Sequence, residues 1–154
     1  MLKAEKILKE ENISYKLIQL EKESISTKDV VKHGNVNEDE ICKTIIVKDK
    51  KRNFYACVLK GNNMIDKNKV KNIVKSKITI ATHDNVREVA KVNPGEVCPL
   101  LLNIKIIVDK NVLNSEKINF GSGNLLFGIE MILNDFLKMM KNYEISDITA
   151  DQSS

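Results

Sequence analysis

The chain has little cysteine and less histidine. Its three cysteines, Cys42, Cys57 and Cys98, are scattered and form no CxxC pair. That excludes a disulfide framework and leaves no zinc-ligand spacing. The two histidines, His33 and His83, are not spaced to complete a metal site, so neither metal nor cofactor is expected. No apolar run approaches the about eighteen residues of a membrane span. The opening Met1-Leu2-Lys3-Ala4-Glu5-Lys6 alternates charge where a secretory leader needs an apolar stretch. No membrane partner is expected, and a cytoplasmic location with reduced thiols is. GxSxG, P-loop, HExxH and GxGxxG signatures are all missing. So are repeats, low-complexity runs and linkers of domain-boundary type.

What is present is an ordinary globular composition. The 154 residues are 42% apolar and 30% charged, enough for one domain with a real hydrophobic core. We expect that domain over residues 1–150, with Asp151 to Ser154 as a loose tail. The net charge is +4, with lysine far more common than arginine, which permits a polyanionic partner without demanding one.

Periodicity organises the chain. Leu2 to Asn12 has helical spacing that turns Ile7 and Leu8 inward, and Tyr15 to Leu20 alternates as a strand. Ser26 and Asp29 resemble a capping box, for a short helix ending at Gly34. Asn37-Glu38-Asp39-Glu40 reads as a further helix start. Thr44–Lys48 and Phe54–Leu59 flank a polar turn, as in a hairpin. Asp66 caps a helix to Lys75, with Val70, Ile73 and Val74 as its apolar stripe and Lys67, Lys71 and Lys75 in a ladder beside it. Ile78–Ile80 is a short strand, and Asp84 caps a helix near Asn85 to Lys91. Two prolines and a glycine make Asn93–Pro99 a loop. Strands follow near Lys105–Asp109, Lys117–Phe120 and Leu125–Ile132, then a helix from Asn134 or Asp135 and a final strand at Glu144–Ile148. Helices interspersed irregularly among hairpin-like strand pairs predict a mixed α/β domain, with a mixed or barrel-like central sheet flanked by helices.

Few residues stand out chemically. Lys43, where an acidic turn passes into Thr44-Ile45-Ile46-Val47, is either a solvated strand start or an ammonium aimed at a phosphate or a developing oxyanion. Cys42 and Cys57 read as buried side chains. Cys98 sits in a loop and reads as a half-buried thiol without an activating partner. Gly121-Ser122-Gly123, taken alone, is a tight turn between strands.

Taken in order, several segments resemble the YbaK-type family, which shares its fold with the editing domain of bacterial prolyl-tRNA synthetases. The carriers are Ile41-Cys42-Lys43-Thr44-Ile45-Ile46-Val47-Lys48, Ala56 to Gly61, the helix around Lys69 to Val74 and Glu88-Val89-Ala90. Gly95-Glu96-Val97-Cys98-Pro99, Phe120-Gly121-Ser122-Gly123-Asn124 and Gly128-Ile129-Glu130-Met131 complete them. The resemblance implies a deacylase of mischarged tRNA. It makes Lys43 the catalytic residue and gives the substrate-binding roles to Thr44, Gly95, Cys98, Pro99, Gly121, Ser122 and Gly123. The implied partner is the 3′ end of an aminoacyl-tRNA, tRNA for proline or a related one, with a synthetase as a further candidate and no DNA. An aminoacyl ester is labile, so positioning and oxyanion stabilisation suffice; water, a substrate hydroxyl or a substrate thiol could attack. Cys98 stands where many cysteine-specific members carry a small polar residue, and Asn124 to Phe127 is unusually apolar for a polar substrate rim. The competing expectation is a non-catalytic tRNA- or synthetase-binding module of the same fold.

Overall fold

The computed structural model describes residues 1–19 and 37–151. The expected Ser26–Gly34 helix, with His33, lies outside the described residues. Helix α1 (Lys3–Glu10) buries Ala4 and Leu8. The Glu5 carboxylate accepts the Leu2 N–H at 3.2 Å and the Tyr15 hydroxyl at 2.7 Å, tying the helix to β1 (Tyr15–Gln19). Asn37–Glu40 yields only a single 3₁₀ turn over Glu38–Glu40, because the chain becomes extended at once.

β2 (Cys42–Asp49) and β3 (Phe54–Lys60) form the expected hairpin. Asp49 closes its turn by accepting from the Lys51 and Asn53 N–H groups, each at 2.9 Å, and from the Tyr55 hydroxyl at 3.1 Å. In α2 (Lys67–Val74), Asp66 accepts the Asn68 and Lys69 N–H groups, the N-cap bonds that the sequence suggested. β4 (Ile78–Ile80) and α3 (His83–Ala90) follow, and here Thr82, rather than Asp84, is the cap. Asp84 is the second residue of the helix, in its first turn, and pairs with Arg87 at 2.6 Å. The Asn93–Pro99 loop contains short 3₁₀ turns at Pro94–Glu96 and Pro99–Leu101. β5 (Lys105–Asp109), β6 (Lys117–Gly121), β7 (Phe127–Ile132), α4 (Leu133–Met139) and β8 (Tyr143–Ser146) complete the chain.

The described strands form two sheets, ordered β1-β7-β6 and β4-β2-β3-β5-β8. The β3–β5 and β5–β8 pairs are parallel and the rest antiparallel, so the architecture is the expected mixed α/β type. Among the described residues the sheets do not close into a barrel, and a single parallel bridge, Ile41 to Asn119, joins the start of β2 to β6.

Alternation along β2 divides the interior in two. Cys42 and Ile46 face a core shared with Ala56, Val58, Phe120, Ile129 and Phe136, where the Phe120 and Phe136 rings lie 5.1 Å apart. Val47 faces the other core, with Cys57, Leu59, Ile107 and Val70 of α2. Side chains such as Leu59 and Phe136 are fully buried, and truncation to alanine at such positions costs about 2–5 kcal/mol. Among the described residues no helix is long and apolar enough to cross a membrane.

Candidate active site

Lys43 stands one residue inside β2, opposite Leu59 on β3. Its Nζ donates to the Gly61 carbonyl at 3.1 Å, and the Gly61 N–H donates to the Ile41 carbonyl at 2.8 Å. The open end of the hairpin is thus pinned around the lysine. Partial burial pushes the Lys43 ammonium below its ordinary pKa, because desolvation penalises the charged form. An ammonium group has three donors, and Gly61 is its one hydrogen-bond acceptor among the described residues.

The pleat sends Lys43 and Thr44 to opposite faces. Thr44 shares its face with Cys42 and Ile46, and its buried Oγ1 has no hydrogen-bond partner among the described residues. These two expected site residues are therefore not brought together through their side chains. On the other face the Ile41–Asn119 bridge aligns β2 with β6. Alternation puts Lys43 on the same face of β2 as Ile41, the residue bridged to Asn119.

The two glycine-bearing loops do meet. A Cβ added to Gly121 would lie 2.7 Å from the Val97 carbonyl oxygen and 3.7 Å from the Glu96 carbonyl carbon. Only a residue without a side chain lets the end of β6 pass this close to the Gly95–Pro99 loop. Gly123 has φ +95°, and its nearest such neighbour is Leu101 Cδ1 at 3.6 Å. Ser122 is buried, and its hydroxyl donates to the Phe127 carbonyl at 2.7 Å and accepts the Asn124 N–H at 3.2 Å. It acts as the clasp of the β6–β7 turn. Gly95 is exposed within its 3₁₀ turn. Pro99 is buried and borders a cleft of about 500 Å³ beside Ile7, Glu10 and Lys138.

Burial disfavours the thiolate form of all three cysteines. Burial pushes the thiols of Cys42, Cys57 and Cys98 up to about 12, in Cys98 against hydrogen bonds from Leu100 and Leu101. A nucleophilic cysteine must be largely thiolate at working pH. Cys98 is also 2% exposed, more deeply packed than the half-buried thiol expected. Among the described residues no cluster of three or more histidines, cysteines and carboxylates is placed to hold a metal ion.

Asn119 was not anticipated from sequence. It is 3% exposed, and among the described residues neither its amide nitrogen nor its amide oxygen has a hydrogen-bond partner. It lies cross-strand from Glu130, whose carboxylate pairs with Lys117 at 3.0 Å. The available signal was an asparagine between Ile118 and Phe120, a residue that strands disfavour.

Such an arrangement suits positioning. A half-buried ammonium, loop backbone brought close at glycines and an idle buried amide can hold an ester and the charge that develops on it.

Comparison with known proteins bears on the fold and the family. The aminoacyl-tRNA editing domain matches residues 21–139, and the chain belongs to that family. A proline–tRNA ligase of Francisella philomiragia subsp. philomiragia is 26% identical over 108 residues, 69% of this chain. The chain spans 19% of that relative's length. The crystal structure of a hypothetical protein superposes with a TM-score of 0.87 at 24% identity, covering 96% of this chain and 99% of that one. A "putative trans-editing enzyme for prolyl tRNA synthetase" superposes with a TM-score of 0.84 at 18% identity, covering 96% and 95%. At these identities the structural likeness speaks for the fold.

Proposed function

We propose that this chain is a free-standing aminoacyl-tRNA deacylase. It hydrolyses the 3′ ester of a tRNA carrying the wrong amino acid, with tRNA for proline as the first candidate. The editing unit is residues 1–150, and the work is cytoplasmic proofreading of translation. The observation that supports this best is the half-buried Lys43 ammonium, two residues from the Ile41–Asn119 bridge and 3.1 Å from the Gly61 carbonyl. The lysine steadies the phosphate next to the ester or the oxyanion formed on attack, and the loops at Val97 and Gly121 fix the acyl group. With all three thiols held protonated by burial, the attacking group is water or a group on the substrate itself.

The test is hydrolysis of prolyl, alanyl, cysteinyl and seryl esters on proline and cognate tRNAs by the wild type and Lys43→Ala. Selective release that disappears in the variant is the expected result. Equal release by both proteins would remove Lys43 from the mechanism. Retention of tRNA without release from any substrate would favour the non-catalytic binding module.

A further inference from the structure

An open groove of about 620 Å³ runs between the β2–β3 turn and the C-terminal end of α2, lined by Lys50, Lys71, Asn72, Lys75, Ser76 and Lys77. Its lining among the described residues holds four lysines and no carboxylate. Among the described residues none of those lysines makes an ion pair, although their neighbour Lys69 is held by Asp147 at 3.2 Å and Asp151 at 3.1 Å. Lys51 is a further exposed lysine in the same turn, whereas Arg52 there pairs with Glu88 at 4.0 Å. The negative end of a short helix balances part of one positive charge. Four like charges around one groove repel one another, and an extended anion lying between them relieves that repulsion while displacing small counterions.

The position of the groove relative to Lys43 bears on what that anion is. α2 packs Val70, Ile73 and Val74 on the face of the β2–β3 hairpin that carries Lys43. Lys43 sits near one end of β2, and Lys50 lies just past the other. At ~3.3 Å per residue the two are roughly 23 Å apart along the strand. An unpaired 3′ tail spans such a gap before the base-paired stem of a tRNA begins.

We propose that this groove docks the sugar–phosphate backbone of the paired acceptor stem while the 3′ ester lies at Lys43. The inference rests on the editing reading above and adds where the duplex part of the substrate sits. Lys50, Lys71, Lys75 and Lys77 bind phosphates, and Asn72 and Ser76 supply neutral hydrogen bonds. Interactions of this kind set position and orientation and carry no base sequence.

The test uses the full chain and fluorescently labelled, uncharged tRNA, with binding followed by anisotropy across a salt series. The variant Lys71→Gln/Lys75→Gln/Lys77→Gln is expected to bind about tenfold or more weakly at low salt. Its slope of log K against log salt becomes shallower by about 0.9 for each phosphate that is no longer neutralised. Lys75→Gly, which removes the charge at a residue with φ 62°, weakens binding without lowering the melting temperature, so misfolding is not the cause. With an aminoacyl ester presented on tRNA and on a short single-stranded oligonucleotide, the tRNA-to-oligonucleotide ratio of kcat/KM falls about tenfold in the triple variant. Wild-type affinity and salt slope in the triple variant would overturn the proposal. So would wild-type capture by phosphatidylserine vesicles with no tRNA binding. Loss of tRNA binding in the variants, with no ester hydrolysed even by the wild type, would uphold the groove and reject the deacylase reading.

Discussion

Gly121→Ala places a methyl group 2.7 Å from the Val97 carbonyl oxygen, where ordinary contact begins at 3.4 Å. The obstructing atoms are backbone on both sides, so no rotamer relieves the clash. Either the end of β6 or the Gly95–Pro99 loop must retreat by roughly 0.7 Å. Overpacking of this kind costs about 1–3 kcal/mol. For a domain of this size that lowers the melting temperature by about 2–12 °C. If the two loops hold the ester, a shift approaching 1 Å also lowers kcat by about tenfold to a hundredfold. Gly128→Ala is the control, because its Cβ would meet the Phe120 carbonyl oxygen at 3.6 Å and Ile18 Cβ at 4.0 Å, both ordinary contacts. Thermal melts and single-turnover deacylation read both effects. Gly121→Ala with wild-type melting and turnover, or Gly128→Ala as the more damaging change, would refute the reasoning.

Burial lowers the Lys43 pKa from its ordinary 10.5. Activity that needs the ammonium therefore declines, after correction for spontaneous hydrolysis, at a lower pH than a free lysine would dictate. Lys43→Arg, if active, loses that basic limb, and an identical limb in both proteins would show that another group titrates. Asp109 is fully buried and accepts from the Ile148 N–H at 2.9 Å and the Asn111 N–H at 3.1 Å. Asp109→Ala leaves both donors without their carboxylate and costs about 2–4 kcal/mol in urea unfolding; a cost below about 1 kcal/mol would contradict that role. Lys69, and more weakly Lys110, hold the Asp147 carboxyl below its usual pKa, although burial opposes them. The resulting stability is present above about pH 4 and is lost as pH falls through the depressed folded value. Wild type and Asp147→Asn should differ in melting temperature at pH 6 and converge toward pH 2; a gap that persists in acid would refute the assignment.

Elements whose signals are local were legible in the sequence. Asp66 ahead of a lysine-rich helix and the alternation of β2 and β3 each carry their own cause. Helix α4 was misplaced by a residue or two because no side chain caps it: the Leu133 N–H donates to the Glu116 carbonyl at 2.9 Å, a partner from another part of the fold. Thr82 and Asp84 are both good cap residues two positions apart, and local chemistry does not choose between them. The candidate site divides in the same way. Lys43 and the glycines could be named as residue types. The opposite facing of Thr44, the clasp at Ser122 and the buried amide of Asn119 depend on strand pairing and on the Ile41–Asn119 bridge. Spacing along one chain does not encode these pairings.

The most direct measurement is single-turnover release of the amino acid from misacylated proline tRNA, with retention of the tRNA recorded in the same reaction. The account predicts release by the wild type well above the spontaneous rate for at least one non-cognate amino acid, and release at the spontaneous rate by Lys43→Ala with tRNA still bound. Release at the spontaneous rate by the wild type on every ester, or undiminished release by Lys43→Ala, would contradict it.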